Sequence, residues 1–247
     1  MSKRRLCILG GCGGIGRGLV KAALAEYEVV VLDLKSALDR HPVPAGVRGI
    51  EIDGSDETSV DRAFRAISDQ WGALDGFVNA AGFLIQRRNL IDTPIEEFDT
   101  TIRGNIRTAF LAGGPAIRLL ENGDSPSFVN ITSGLGAFIR PQYGAYAASK
   151  AAMIAMTKSL AHEHAPLVRV NAVGPGAVDT AFLRGGTGRS GENEAPSMDI
   201  DAYAAMIPMK RIATVEDIVG PVMFLLGKQS AYMTGQTLWV NGGAYMP

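Results

Sequence analysis

Tyr146 and Lys150 lie four residues apart in the segment Tyr-Ala-Ala-Ser-Lys, and Ser133 lies upstream of them. On a helix, positions i and i+4 share one face, so we expect the phenol and the ammonium to lie side by side. A tyrosine hydroxyl titrates near pH ~10 in isolation, and a fixed positive charge nearby lowers that pKa by stabilising the phenolate. The spacing therefore predicts a general acid/base pair, although alone it is more often typical of an exposed helix edge.

A glycine-rich turn near the start of the chain gives this pair a chemical context. The run Gly10-Gly-Cys-Gly-Gly-Ile-Gly16 joins an apolar strand-like segment to a helical pattern. Glycines let a phosphate approach the main chain, and the helix N-terminus offers it free N–H groups. Gly11, Gly13 and Gly16 fit G-x-G-x-x-G, whereas Gly10, Gly14 and Gly16 fit G-x-x-x-G-x-G. The turn predicts dinucleotide binding, and both spacings remain open at this point.

Asp33 indicates which dinucleotide is expected. It ends a strand-like run about 20 residues beyond the turn, where an acid binds the hydroxyls of the adenosine ribose. A carboxylate at this position attracts a free 2′-hydroxyl and repels a 2′-phosphate, so the sequence favours NAD over NADP. Lys35 and Arg17 are nearby cations that leave NADP as an alternative.

Strand-like and helix-like segments alternate along the whole chain. Strands are predicted at 5–9, 28–33, 47–52, 76–79, 127–131, 168–173 and 237–240, and helices at 15–25, 58–71, 93 towards 120, 145–161, 199–207 and 215–226. We expect Thr93 and Glu96 to form a capping box, and Gly104, Gly113, Gly114 and Pro115 to bend or break the helix that follows. This alternation predicts an α/β fold, in which one parallel seven-stranded sheet has helices on both faces and binds ligands beyond its carboxyl edge.

Composition excludes several broad classes of protein. The chain has 247 residues, a formal net charge of −1, 47% hydrophobic residues and 20% charged residues. Such a charge gives no general attraction to nucleic acid or an anionic membrane, and no apolar run approaches the ~20 residues of a membrane span. The N-terminus lacks the apolar region of a signal peptide, and Cys7 and Cys12 match no metal spacing. We expect one domain, residues 1–247, in a reducing, cytoplasmic setting.

The ordered motifs resemble those of the short-chain dehydrogenase/reductase family along nearly the whole chain. The glycine run resembles the family's G-x-x-x-G-x-G turn, which favours Gly10, Gly14 and Gly16, although Leu9 stands where the family often has threonine. The other matching elements are Asn79-Ala-Ala-Gly82, Asn105, Ser133, Tyr146-x-x-x-Lys150, the segment 174–180 with its Pro-Gly pair, and the C-terminal segment 234–243. The resemblance implies a Rossmann-type nucleotide-binding domain.

The resemblance also implies a role for each matching residue. Tyr146 would be the acid/base on the substrate oxygen, Lys150 would lower its pKa and hold the nicotinamide ribose, and Ser133 would orient the reacting oxygen. Asn105 would help to hold a water that connects Lys150 to solvent. With the strand-end rule, the NAD-binding positions are Gly10, Gly14, Ile15, Gly16, Asp33, Asp53, Gly54, Asn79, Ala80, Gly82, Tyr146, Lys150, Pro175, Val178 and Thr180.

These observations predict an NAD-dependent alcohol dehydrogenase or carbonyl reductase. The candidate substrate wall is mostly apolar or aromatic and suggests a hydrophobic or cyclic secondary alcohol or ketone: Leu135, Phe138, Tyr143, Phe182, Met198 and Met206. A lid-like segment at about 183–209, with a glycine-rich stretch at 185–191, is expected to cover it. The alternatives are an NADPH-linked 3-oxoacyl reductase and a non-catalytic NAD(H)-binding redox sensor. By resemblance, the chain is expected to form a homotetramer.

Other polar residues are weaker candidates. Tyr143 has alanine at its i+4 position, so it is interpreted as pocket wall or packing, and Cys12 as a small filler rather than a thiolate at a helix N-terminus. The histidines His41, His162 and His164 offer no metal spacing. Arg87, Arg88 and Arg140 are cations that an acidic substrate would suit, although solvated loop charge is the usual reading of such residues.

Overall fold

The computed structural model describes residues 3–184 and 198–246, and within these ranges seven strands form one sheet. The strands are β1 (Arg4–Leu9), β2 (Tyr27–Asp33), β3 (Arg48–Glu51), β4 (Gly76–Asn79), β5 (Ser127–Ile131), β6 (Arg169–Pro175) and β7 (Thr237–Val240). Their spatial order is β3-β2-β1-β4-β5-β6-β7, and every neighbouring pair is parallel. The order reverses between β1 and β4, where such a sheet leaves a ligand crevice at its carboxyl edge.

Helices cover both faces of the sheet, as the sequence predicts. They are α1 (Gly14–Ala23), α2 (Lys35–Arg40), α3 (Glu57–Trp71), α4 (Ile95–Ile102), α5 (Thr108–Leu120), α6 (Gly144–His164), α7 (Ile200–Met206) and α8 (Val215–Leu226). Leu6 and Ile8 of β1 belong to the core beneath α1 and α8, whereas Cys7 and Leu9 belong to the core beneath α3 and α5. Because successive strand residues point to opposite faces, one buried strand serves both cores. The predicted fold class is confirmed.

Short polar side chains determine where two of the helices begin. The Asp56 carboxylate accepts a hydrogen bond from Ser59 N at the start of α3, which ends at Gly72 in the left-handed conformation with φ 64°. Thr214 and Asp217 form a reciprocal capping box at the start of α8. Such caps satisfy N–H groups that have no partner within the helix, so they define the helix boundaries.

The predicted capping box of α4 is wrong, and of the predicted interruptions only the one at Gly104 is confirmed. Thr93 forms no cap, because its hydroxyl donates to Asn89 O at 3.1 Å and closes the preceding turn, and α4 begins at Ile95 without a side-chain cap. The interruption falls at Arg103–Arg107, where one π-helical turn contains Gly104. The α5 helix then continues through Gly113, Gly114 and Pro115, with Ala112, Gly113 and Ala116 buried. Their small side chains allow close packing, which outweighs a weak local preference for breaking the helix.

Two further predictions, the absence of a membrane span and the lid, concern only partly described regions of the chain. None of the helices in residues 3–184 and 198–246 is both long enough and apolar enough to cross a membrane. Residues 185–197 of the predicted lid, including the glycine-rich stretch 185–191, lie outside the described residues. The described flanks of the lid are Leu183, Arg184 and the segment that contains α7.

Candidate active site

The carboxyl edge of the sheet opens onto a cavity of about 620 Å³. That volume falls within the usual range for small-molecule and cofactor sites. Of the predicted site residues, all but two line it: Gly10, Gly14, Ile15, Gly16, Asp33, Asp53, Gly54, Ala80, Gly82, Ser133, Tyr146, Lys150, Pro175, Val178 and Thr180. The fold therefore brings the glycine turn and the tyrosine–lysine pair, which are far apart in the sequence, into one cavity.

Three glycines of the turn have no room for a side chain. Gly10 has a φ of +80°, and a Cβ at this position would lie 2.7 Å from Ala81 N. A Cβ on Gly14 would lie 2.6 Å from Thr180 Cγ2, and one on Gly16 would lie 2.2 Å from Gly10 O. The bare backbone at these positions makes the tight passage from β1 into α1 possible and leaves the main chain open to the cavity.

The remaining glycines of the turn have different surroundings. A Cβ on Gly13 would meet its nearest neighbour, Gly10 O, at an ordinary 3.4 Å. A Cβ on Gly11 would lie 2.6 Å from Val31 Cγ1, so this glycine allows the turn to pack on β2. The steric requirement for glycine therefore extends to Gly10, Gly11, Gly14 and Gly16 but not to Gly13, which only the spacing G-x-G-x-x-G requires. The spacing G-x-x-x-G-x-G is the one that the structure supports.

Asp33 closes the turn as well as lining the cavity. Its Oδ2 accepts from Cys12 N at 2.9 Å, and its Oδ1 accepts from Leu34 N at 2.8 Å. Burial raises the pKa of Asp33, and these two N–H donors partly offset the rise. Each oxygen retains further acceptor capacity for a ligand hydroxyl. Together with the glycine cradle, this acid fits the adenosine end of a dinucleotide.

The other groups near Asp33 are engaged within the protein. Lys35 pairs with Asp39, and Arg17 Nη1 donates to Cys12 O at 2.7 Å. Burial, followed by the Asp33 charge, raises the pKa of the Cys12 thiol to about 12, which fits the interpretation of Cys12 as a small filler rather than a thiolate. Asp53 also lines the cavity, and its Oδ1 accepts from the amide and hydroxyl of Ser55.

Ser133, Tyr146 and Lys150 meet at the other end of the cavity. Ser133 follows β5, its Oγ accepts from Leu135 N at 3.2 Å, and its side chain lies near enough to Tyr146 to lower the pKa of the phenol. Tyr146 is buried in the first turns of α6 and packs against Phe182, with ring centroids 6.0 Å apart. Lys150 Nζ lies 5.7 Å from the centroid of the Tyr146 ring, so the predicted shared helix face is confirmed.

The predicted lowering of the Tyr146 pKa by Lys150 is wrong for this geometry. Burial raises the pKa of Tyr146 to about 12, and the neighbouring Ser133 side chain only partly offsets that rise. The Lys150 ammonium is directed elsewhere, because Nζ donates to Ile131 O at 3.0 Å and contacts Met153 Sδ at 3.6 Å. Burial also lowers the pKa of Lys150 to about 8. Desolvation therefore dominates both groups.

Asn105 and Asn79 lie behind the cavity wall and do not line it. Asn105 Oδ1 accepts from Phe83 N at 2.8 Å, and its Nδ2 donates to Phe83 O and to Ser149 Oγ, each at 3.0 Å. Asn79 Nδ2 donates to Asn130 Oδ1 at 3.2 Å. These amides hold the loop after β4 and the strand ends in place, so they position the site from behind.

Sequence reasoning missed the side chain that connects Asn105 to α6. Ser149 is fully buried, receives the bond from Asn105 and donates to Tyr146 O at 2.7 Å. Its place within Tyr-Ala-Ala-Ser-Lys was visible, but a serine beside two stronger candidates carries no separate signal. Gly82 lies next to this frame, since a Cβ there would be 3.0 Å from Lys150 Nζ and 3.1 Å from Asn105 Oδ1.

The predicted substrate wall is confirmed in position. Leu135, Phe138, Tyr143, Phe182, Met198 and Met206 all line the cavity. Tyr203 and Tyr245 line it as well, and Tyr245 stacks on Phe138 with centroids 5.8 Å apart. No sequence pattern pointed to Tyr245, because it lies beyond the last strand and reaches the cavity only through the fold.

Histidine and carboxylate groups form no metal centre in the part of the chain that the structure describes. His164 lies at the end of α6 and contacts Glu121 Oε1 at 3.1 Å. His41 lines the adenosine end of the cavity, where its carbonyl oxygen accepts from Cys12 Sγ at 3.6 Å. The chemistry of the site therefore centres on hydroxyl, ammonium and glycine-turn groups.

Known proteins of similar sequence include several reductases. A family model described as Enoyl-(Acyl carrier protein) reductase matches residues 11–245. An uncharacterized short-chain type dehydrogenase/reductase of Sinorhizobium fredii is 33% identical over 97% of this chain, which spans 43% of that relative. The 3-oxoacyl-(acyl-carrier-protein) reductase of Mycobacterium tuberculosis is 30% identical over 98% of this chain and 93% of its own length. Carbonyl reductase (NADPH) 2 of Sus scrofa is 32% identical over 97% and 95%.

Solved structures have the same architecture. The aldohexose dehydrogenase of Thermoplasma acidophilum superposes with a TM-score of 0.87 at 27% identity, over 99% of this chain and 97% of that chain. A 3-ketoacyl-(acyl-carrier-protein) reductase of Brucella melitensis, solved in complex with NADH, gives a TM-score of 0.87 at 27% identity, over 98% of each chain.

Proposed function

The chain belongs to the short-chain dehydrogenase/reductase family, and from this membership we propose that it interconverts a secondary alcohol and a ketone with NAD(H). The observation that carries the proposal is that Ser133, Lys150 and the buried Tyr146 line the same cavity as the glycine turn. The mostly apolar and aromatic wall supports a hydrophobic or cyclic substrate. A secondary alcohol of this kind loses a hydride from its carbinol carbon and a proton from its hydroxyl.

The chain's own residues handle the proton and the oxygen. The dinucleotide, when bound, supplies the nicotinamide carbon that exchanges hydride with the substrate carbon. Ser133 orients the substrate oxygen by a hydrogen bond, and Tyr146 gives it a proton in reduction or takes one in oxidation. Lys150 lies against the Tyr146 ring, where it would hold the nicotinamide ribose beside the reacting phenol.

The high pKa of Tyr146 has a consequence for the two directions of the reaction. With a pKa of about 12, the phenol keeps its proton at neutral pH and is ready to donate it to a ketone oxygen. Accepting a proton from an alcohol requires the phenolate, which becomes more abundant as the pH rises. We therefore expect the rate of alcohol oxidation to increase with pH more steeply than that of ketone reduction.

Asp33 supports NAD rather than NADP as the cofactor. Its carboxylate faces the cavity at the adenosine end, while Lys35 is paired with Asp39 and Arg17 donates to a backbone carbonyl. A 2′-phosphate there would meet the Asp33 charge, because these two cations are engaged with other groups. A comparison of the affinity for NADH with the affinity for NADPH tests this preference. The nearest rival function, an NADPH-linked 3-oxoacyl reductase like the relatives of that name, requires NADPH to bind more tightly.

Replacing Tyr146 by phenylalanine tests the enzymatic role. We expect kcat for ketone reduction to fall roughly 1,000-fold, which is within the range for loss of a general acid, while NADH still binds. Tyr143→Phe removes the hydroxyl of a neighbouring wall tyrosine and should change kcat by less than about tenfold. Full turnover in Tyr146→Phe would refute the role. NADH binding by the unaltered chain, without turnover across a panel of ketones and alcohols, would favour the redox sensor.

We also propose that the chain assembles as a homotetramer, which so far rests on the family resemblance. The supporting surface lies on α5 and α6, where Phe110 is 69% exposed next to the partly buried Met156 and Leu160. Met153 is fully buried in the fold and therefore does not contribute. Light scattering on the eluting protein tests the assembly, and a monomer or a dimer at micromolar concentration would contradict it.

A further inference from the structure

Arg87 and Arg140 are two cations that line the substrate end of the cavity. Arg87 belongs to the loop after β4, and Arg140 belongs to the segment between β5 and α6. Arg87 is exposed at the opening, and Arg140 is half-buried. Neither has a part in the proton chemistry or in dinucleotide binding, so the proposed function leaves both charges without a purpose.

Neither guanidinium forms an ion pair with a carboxylate in residues 3–184 and 198–246. Arg88, which is adjacent in sequence, differs in this respect, because its Nε lies 3.3 Å from Glu97 Oε2 and its Nη2 donates to Gln86. Asp199 is a described acid that lines the cavity with them, and its Oδ1 caps α7 by accepting from Ala202 N at 2.9 Å. Among the described residues that line the cavity end facing Tyr146, positive charges therefore outnumber negative ones.

Aromatic rings hold both guanidinium groups in place. The Arg87 Cζ lies 5.9 Å from the centroid of the Tyr143 ring, and its Nη1 lies 3.5 Å from the Tyr143 hydroxyl. The Arg140 Cζ lies 4.9 Å from the Tyr203 centroid and 5.8 Å from the Phe138 centroid. A guanidinium held against a ring keeps its N–H edge free, so less side-chain entropy is lost when that edge binds an oxyanion.

We infer that Arg87 and Arg140 bind an acidic group of the substrate at the mouth of the cavity, so that the substrate is a secondary alcohol or ketone carrying a carboxylate or similar anion. This inference rests on the proposed function and narrows its substrate class. Between the arginines and Tyr146 the wall is apolar or aromatic, including Phe138 and Phe182. The anion is therefore separated from the reacting carbon by a hydrocarbon portion that this wall accommodates.

A binding experiment tests the inference independently of turnover. Calorimetry on the full chain, with and without NADH, compares cyclohexanecarboxylate with its neutral analogue cyclohexanecarboxamide, neither of which has a ketone to reduce. We expect the carboxylate to bind about tenfold more tightly, as charge-assisted hydrogen bonds from two arginines allow. The preference should weaken as salt rises, because the mouth is open to solvent.

Variants identify which charges are responsible. Arg140→Gln should reduce the preference for the carboxylate roughly fivefold, and Arg87→Gln should reduce it roughly twofold because the exposed cation is more strongly screened. Arg88→Gln removes the same charge from the same loop outside the cavity and should leave the preference unchanged. Equal affinity for the two compounds, no measurable binding of the carboxylate, or an equal loss in Arg88→Gln would overturn the inference.

Turnover separates failure of this inference from failure of the proposed function. For 4-oxocyclohexanecarboxylate against its methyl ester, the two cavity variants should raise KM for the acid and leave kcat/KM for the ester within about twofold. Tyr146→Phe should abolish turnover of both compounds yet keep the preference in binding. Reduction of the ester as efficiently as the acid would refute the acidic substrate and leave the oxidoreductase intact, whereas carboxylate binding without any NADH oxidation would do the reverse.

Discussion

Replacing Lys150 by methionine should stabilise the folded protein at neutral pH. Lys150 is 3% exposed, and burial lowers its pKa from 10.5 to about 8. At roughly 1.4 kcal/mol for each pKa unit, keeping this ammonium charged in the fold costs about 3 kcal/mol below pH 8. Methionine removes that cost, but it also removes the donor to Ile131 O, which is worth about 1 kcal/mol. We expect a net gain of about 2 kcal/mol in the free energy of unfolding near pH 7.

The pH dependence gives the sharper form of this prediction. A group whose pKa is lower in the folded chain contributes stability that is present above its unfolded pKa and is lost as the pH falls through its folded pKa. For Lys150 this window extends from 10.5 down to about 8. Between about pH 7 and about pH 9.5, the free energy of unfolding of the wild-type chain should therefore rise by about 2 kcal/mol relative to that of Lys150→Met. This rise nearly cancels the advantage that the variant has near pH 7.

Urea unfolding at both pH values measures this difference. Trp71 in α3 and Trp239 in β7 provide fluorescence probes in two parts of the fold, and the protein concentration must be held constant in case the chain associates. Lys158→Met is the matched control, because Lys158 is an exposed lysine on the same helix. A stability difference between wild type and Lys150→Met that is the same at both pH values would refute the assignment of Lys150 as a desolvated ammonium.

Three further predictions concern the turn, the cofactor and the fold. Gly16→Ala should lower the unfolding free energy by several kcal/mol, as expected for overpacking against backbone, whereas Gly13→Ala should change it by less than about 1 kcal/mol in the same denaturation assay. Asp33→Asn should reduce the ratio of kcat/KM for NADH over NADPH at least about tenfold, and an unchanged ratio would contradict the charge argument. Asp75→Asn should cost about 3 kcal/mol at neutral pH. Although burial raises the pKa of Asp75, bonds from Arg5 and Asp124 N hold it below its usual value, so this deficit should shrink in acid as the pH falls through that lowered pKa.

Local sequence patterns predicted those features of the fold and the site that depend on the direction of the strands and on the periodicity of helices. Parallel strands alternating with helices leave one carboxyl edge, so Asp33, Ser133 and the residues after β6 had to meet there. The spacing of Tyr146 and Lys150 was sufficient to predict a shared face of α6. Steric contacts then decided between two glycine patterns that letters alone could not separate, because only the fold reveals that Gly14 lies against Thr180.

Other features depend on contacts between segments that are distant in the sequence. The pattern of apolar residues does not reveal that Thr93 is bonded to the preceding turn, or that the six-residue helix α2 forms at all. It also cannot distinguish an asparagine that faces a cavity from one that fastens a loop behind it, as Asn105 does with Phe83. The direction of the Tyr146 pKa shift depends on the burial of the phenol, which the spacing of Tyr146 and Lys150 does not reveal.

The frame around Asn105 connects proton chemistry with the recognition of an anion. Asn105 bonds to both backbone groups of Phe83, and through Ser149 it is joined to Tyr146 O in α6. The loop that begins at Phe83 continues to Arg87, whose guanidinium rests against Tyr143 one turn before Tyr146. The loop that carries the arginine and the helix that carries the reacting phenol are thus joined by one set of hydrogen bonds. This shared frame restricts changes in the distance between the bound anion and the reacting oxygen. The restriction matters because a small displacement of reacting groups lowers the rate.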